Sequence, residues 1–148
     1  MASLIEVRYV LDTSILIPYI RESALGGWLE KTYRLTSSIS VPLISIVTVG
    51  ELRSLSLQRS WSGSKLKQLD YLLNLFSIIN LDFPNLVENY DLIDDYSIRK
   101  GAKMGKNDIW IAATAATTGA RLLTSDKDFD HLPQDKFFPR DYIDPNTK

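Results

Sequence analysis

The sequence predicts an α/β protein: a single domain whose mainly parallel central sheet is covered by helices on both faces. Three observations carry this. Short β-branched runs alternate with helically spaced apolar segments along the chain, the pattern of successive βαβ units. The length, 148 residues, suits one domain and is enough to bury a core without crosslinks. No repeat, low-complexity segment or linker divides the chain. The expected domain spans residues 1–148, with its core from about 7 to 140 and a short C-terminal tail.

Val7–Leu11 has strand composition, and Thr13 to about Arg21 has helical spacing. A second helix is expected over Gly27–Leu35. Leu43–Val47 is a β-branched run predicting the second strand, followed by helical spacing at Leu52, Leu55 and Leu57 within Val49–Ser60. Ser64–Asn74 reads as a helix through Leu66, Leu69, Leu72 and Leu73. Phe76–Leu81 is strand-like again. A long helical segment, in one or two pieces, covers Asn85–Lys103. Ile109–Thr118 is an alanine-rich helix, and Gly119 sits where a helix stops. Arg121–Thr124 is the next strand, with Lys136–Phe138 as a candidate short edge strand.

Composition removes several classes of chemistry. With no cysteine, a disulfide scaffold, a thiolate zinc site, an iron–sulfur cluster and a cysteine nucleophile are all excluded. One histidine, His131, excludes mechanisms that need two imidazoles. Seventeen basic residues against eighteen acidic ones give a net charge of −1, so nucleic-acid binding must use a local basic patch. The first dozen residues carry Glu6, Arg8 and Asp12, too many charges for a signal peptide. No run approaches the ~20 apolar residues of a bilayer span. No membrane association is expected, and the cytoplasm is the expected compartment.

In parallel sheets, ligands sit beyond the carboxyl ends of the strands, so the residues following each strand matter most. Asp12 follows the first strand, Glu51 lies one turn past the second, and Asp126 follows the strand after Gly119. Asp108 opens the alanine-rich helix leading into that strand. Four carboxylates, far apart in sequence, are thus placed at one edge of the sheet. Crowded carboxylates repel and prefer a cation. An all-oxygen ligand set suits magnesium, with manganese as its substitute, rather than zinc. Such a site turns bound water into a nucleophile and neutralises charge on a phosphoryl group, which allows phosphodiester hydrolysis without cysteine or paired histidines.

Each acid also has an ordinary structural reading. Asp12-Thr13-Ser14 and Asn107-Asp108 are helix-start signals. Thr48-Val49-Gly50-Glu51 has the form of a capping box, with Glu51 returning to the backbone of Thr48. Asp126 is a candidate turn residue in Thr124-Ser125-Asp126-Lys127-Asp128. Capping explains each acid singly, but not why all four fall at one edge.

Four segments together resemble a known family: Tyr9-Val-Leu-Asp-Thr-Ser-Ile-Leu-Ile17, Ile46-Val-Thr-Val-Gly-Glu-Leu-Arg53, Asn107-Asp-Ile-Trp-Ile-Ala-Ala113 and Leu122-Leu-Thr-Ser-Asp-Lys-Asp-Phe129. In that order and spacing they resemble a PIN domain, specifically a VapC-type toxin of a toxin–antitoxin pair. The resemblance covers essentially the whole chain, although Arg59–Lys103 matches only in helical character. It implies a PIN-like α/β/α fold, a metal-dependent ribonuclease acting on an RNA substrate, a homodimer, and inhibition by a small VapB-type antitoxin. It places Asp12, Glu51, Asp108 and Asp126 in a catalytic, metal-binding quartet supported by Ser14 and Thr124. Asp128, two positions beyond Asp126, is the alternative fourth acid.

Arg99, Lys100, Lys103 and Lys106 precede Asp108 and are candidate RNA contacts, or else a solvated helix end. His131 is assigned no role. Trp28 and Trp61 are expected in the core or a subunit contact rather than stacked on bases, and Trp110 in the core. Rival classes fit less well. A haloacid-dehalogenase-type phosphatase needs an aspartate where Ser14 stands, and a receiver domain needs an acidic pair where Leu11-Asp12 supplies one acid. The remaining alternative is a PIN-fold binding or regulatory module with little or no catalytic activity.

Overall fold

The computed structural model describes residues 7–148, so the reading of Met1–Glu6 lies outside the described residues. The elements are β1 (Tyr9–Leu11), α1 (Thr13–Ile20), α2 (Ala24–Tyr33), β2 (Leu43–Ser45), α3 (Ile46–Gln58), α4 (Gly63–Leu75), β3 (Ser77–Ile79), α5 (Leu86–Arg99), α6 (Lys106–Thr118), β4 (Arg121–Thr124) and β5 (Arg140–Tyr142). A single 3-10 turn, Lys127–Phe129, lies between β4 and β5. The strands form one sheet ordered β3-β2-β1-β4-β5, and every neighbouring pair is parallel.

Alternation along the strands divides the core between two faces. Leu11, Ile44 and Leu123 point toward Ile15, Leu16, Leu29, Leu52 and Leu72, from the α1–α4 layer. Their neighbours Val10, Leu43 and Leu122 point the other way, toward Ile93 of α5 and Ile109, Ala112 and Ala115 of α6. The small alanines bring α6 close to the sheet. The result is an α/β/α sandwich, and the core reaches Ile143 beyond β5. Among the described residues, no helix is long and apolar enough to cross a membrane.

The strand order reverses at β1, with β2 on one side and β4 on the other. Such a reversal opens a crevice at the carboxyl end of the central strand. Asp12 stands at that point, its backbone N–H bonded to Leu123 O at 3.0 Å.

Several boundaries differ from the sequence expectation. The second strand ends at Ser45, whose hydroxyl accepts from Val47 N–H and starts α3 at once; the unbroken Leu-Ile-Ser-Ile-Val run hid that junction. Helix α2 begins earlier than Gly27, because Ser23 caps it. Its Gly26 has no room for a side chain, since a Cβ there would lie 2.5 Å from Pro18 O. Helix α5 is one piece and stops at Arg99. Gly101, at φ +69°, adopts the left-handed conformation, while Ala102 N–H bonds Ser97 O and Gly101 N–H bonds Ile98 O, closing the helix as a Schellman motif. The edge strand is Arg140–Tyr142, not Lys136–Phe138; Phe138 is instead buried in the core. Trp61 is buried, whereas Trp28 and Trp110 are half-buried, against Tyr33 and Tyr90.

Candidate active site

Asp12 is 4% exposed, and both of its carboxylate oxygens are occupied. Oδ1 accepts from Thr13 N–H at 2.9 Å. Oδ2 accepts from Ser14 Oγ at 2.7 Å and from Thr124 Oγ1 at 2.8 Å. Each hydroxyl in turn accepts a backbone N–H from the loop after β4. Ser125 N–H donates to Ser14 and Asp126 N–H to Thr124. Asp12 therefore caps α1 and also anchors the loop carrying the next acids. Burial raises its pKa above the usual carboxylate value, opposed by the Ser14 and Thr124 hydroxyls.

Glu51 does not form the expected capping box. Ser45 is the cap of α3, so Thr48 and Glu51 lie inside the helix. Glu51 Oε1 instead accepts from Thr13 Oγ1 at 2.7 Å, and the same hydroxyl lies 3.1 Å from Thr48 Oγ1. Thr13 thus links the start of α1 to the acid of α3.

Asp108 lies in the first turn of α6, which Gly105 rather than a side chain caps. Carboxylate oxygens of Asp108, Asp126 and Asp128 all lie within 4.8 Å of one another. Asp126 and Asp128 were alternatives in the sequence; the fold brings both to Asp108, with Asp126 also accepting from Asp128 N–H at 2.9 Å. Burial, then the charges of Asp12, Asp126, Asp128 and Glu51, push the Asp108 pKa up to about 7. Asp12 and Glu51 are thus near enough to Asp108 for their charges to act on it, alongside Asp126 and Asp128.

This donor set fits a hard divalent cation. It consists only of carboxylate oxygens, close enough to share an ion, and the pKa of Asp108 is raised by burial and by repulsion from neighbouring acids, which a cation would offset.

The sequence matches the PIN domain family over residues 9–134. The chain is a PIN domain protein. No curated protein matches this sequence. Among solved structures, VapBC2 from Rickettsia felis, bound to a DNA fragment from their promoter, is similar to it with a TM-score of 0.76 at 22% identity, covering 93% of this chain and 100% of that one. FitAcB from Neisseria gonorrhoeae is similar at 25% identity and TM-score 0.69, over 91% of this chain and 96% of that one. VapBC-5 from Mycobacterium tuberculosis, of the VapBC family of toxin–antitoxin systems, matches at 21% identity and TM-score 0.64, over 93% and 98%.

Other candidate residues of this PIN domain are spread more widely. Arg99 is paired with Asp95 at 2.8 Å, and the Lys100 ammonium lies 5.5 Å from the centre of the Tyr96 ring. Both are engaged locally on α5. Lys103 and Lys106 are exposed on the segment entering α6, nearer in sequence to Asp108. His131 lies with Nε2 2.8 Å from Ser97 Oγ, tying the segment after the 3-10 turn to the end of α5. Thr13 escaped the sequence reading because its partners, Thr48 and Glu51, are distant in the chain.

Proposed function

We propose that this PIN domain is a divalent-metal-dependent endoribonuclease, the toxin of a cytoplasmic toxin–antitoxin pair. The observation that carries this reading is the convergence of Asp108, Asp126 and Asp128 within 4.8 Å beside the buried Asp12. Magnesium is the ion the ligand chemistry favours, with manganese as substitute. Asp12 and Asp108 would hold it, with Glu51 and Asp126 acting through water or on a second ion. When bound, such an ion lowers the pKa of water and neutralises charge on the scissile phosphate.

The chain's own residues do the positioning. Ser14, Thr124 and the Thr13 N–H fix the Asp12 carboxylate in one orientation. Thr13 donates to Glu51 and fixes that carboxylate against the start of α1. Asp108, whose pKa burial and the surrounding acids push up to about 7, would be held in its ionised form by a cation at this place. The two bonds from Ser125 and Asp126 N–H keep the acid-bearing loop against Asp12.

The partners follow the same reading. The similar solved structures include VapBC2 and a member of the VapBC family of toxin–antitoxin systems, which supports a small VapB-type antitoxin as the proposed inhibitor here. It would act by placing a basic side chain among the acids. A homodimer is proposed as the assembly, since two acidic sites along one face suit a long ligand.

The test is incubation of the purified chain with total cellular RNA in magnesium, manganese or chelator, with mapping of the cut ends. Cleavage that needs the metal and is lost in Asp108→Asn is expected. Light scattering and co-expression with the neighbouring reading frame test the assembly. A monomer that binds neither RNA nor a small partner would defeat the toxin reading.

A further inference from the structure

The acidic site continues into a groove. Ser14 and Ser125, bonded at 3.0 Å through hydroxyl and backbone N–H, line a depression of about 780 Å³. Its other walls are Ile17, Pro18 and Arg21 from the end of α1, the Ser23–Leu25 entry to α2, and residues 145–148. Ser14 belongs to both features, since it also donates to Asp12. The groove therefore begins where the carboxylates end.

Its lining is suited to one segment of a nucleic-acid strand. Five carboxylates repel a polyanion, so a strand crossing them needs a cation alongside. Arg21 is exposed, caps the carboxyl end of α1, and its guanidinium has no hydrogen bond or ion pair among the described residues. Arg53, Arg99 and Arg121, in contrast, each face an aspartate. The negative end of the helix dipole favours a cation at this position, which leaves the guanidinium fork available to a phosphate. Ile17, Pro18 and Leu25 add an apolar wall against which an unstacked base can lie. A second depression at the site, lined by Glu51, Ser54, Gln58 and Asn107 among others, has no cationic side chain in its lining.

We propose that the Arg21 groove carries the RNA segment on one side of the cleaved phosphate, with Arg21 gripping a flanking phosphate. This rests on the nuclease reading above and adds the path of the substrate. Arg21 was not among the sequence candidates, because it stands alone rather than in a basic run.

The test uses the full chain with Arg21→Ala, Arg21→Lys and, as a charge-matched control, Lys67→Ala on the exposed side of α4. Substrates are a long single-stranded RNA and versions shortened on either side of the mapped cut. Arg21→Ala is expected to raise KM about tenfold on long RNA with kcat little changed, and Arg21→Lys to recover part of that loss. The log–log salt slope of binding should flatten by about 0.7, one phosphate contact to a single strand. Shortening on one side should make wild type and Arg21→Ala equal. Binding measured in the Asp108→Asn background separates the two readings. Arg21-dependent binding without wild-type cleavage would sink the nuclease assignment and keep the groove. Cleavage with Arg21→Ala indistinguishable from wild type would sink the groove. So would an equal effect of Lys67→Ala, or an effect confined to capture of a protein partner.

Discussion

Thr124 Oγ1 donates to Asp12 Oδ2 at 2.8 Å, joining the ends of β4 and β1 across 112 positions of sequence. The same oxygen accepts from Asp126 N–H, so one hydroxyl orients a buried acid and the loop bearing two others. Thr124→Val keeps the shape and removes both bonds. It should lower stability by about 1–2 kcal/mol and weaken magnesium binding about tenfold, read by thermal melts and calorimetric titration. Thr124→Ser should behave nearly as wild type. Equal metal affinity in the valine variant would show that Thr124 serves only the fold.

Asp108→Asn is the cleaner test of the metal site, because among the described residues no hydrogen bond of the Asp108 side chain ties it to the fold, whereas Asp12 accepts three. An amide at Asp108 removes repulsion from four other acids. The metal-free melting temperature should hold or rise, cleavage should vanish, and the stabilisation by added magnesium should shrink. Asp12→Asn should also abolish cleavage, but with a lower melting temperature. A magnesium-induced shift unchanged in both variants would place the ion elsewhere.

The raised pKa of Asp108 sets a pH dependence of the metal-free protein. The folded chain holds the proton up to about pH 7, while the unfolded chain releases it near 3.8. The folded state thus binds more protons in that window, and the contribution of this group to stability is complete below 3.8 and lost as pH rises through 7. Denaturant midpoints of wild type in chelator, compared with Asp108→Asn, should diverge across that range. Parallel curves would contradict the shift.

Glu51→Gln tests whether that residue is structural or chemical. The amide oxygen can still accept from Thr13 Oγ1, so stability should change by less than about 0.5 kcal/mol. Loss of cleavage at unchanged melting temperature assigns Glu51 to the chemistry. Full activity would leave it as a partner of Thr13 alone.

Lys103 and Lys106 are the members of the basic run not engaged by side chains of α5 in the way Arg99 and Lys100 are. Lys106 opens α6, where the helix dipole disfavours a cation, and so its charge gains nothing from the helix it begins. Changing both to Ala should weaken RNA binding and flatten its salt dependence, with metal affinity intact. Unaltered binding would assign this end of α6 to solvent.

The sequence by itself determined the α/β class and the positions of Asp12, Glu51, Asp108 and Asp126 after strands or at helix starts. Both follow from periodicity, which local sterics and alternate burial impose within a few residues. Only the tertiary structure decided what those acids meet. The hydroxyls of Thr13 and Thr124 find Glu51 and Asp12 because β1 lies between β2 and β4, an order that no local pattern states. The same holds for Asp128, which joins Asp108 only because a 3-10 turn bends the chain after β4. Boundaries were lost where one residue serves two elements. Ser45 ends β2 and caps α3 in a single step, and the apolar run passing through it is continuous in hydropathy though not in backbone direction. The pairing of strands, and with it the crevice holding the acids, is set by long-range burial on both faces of the sheet, and burial is a property of the folded chain.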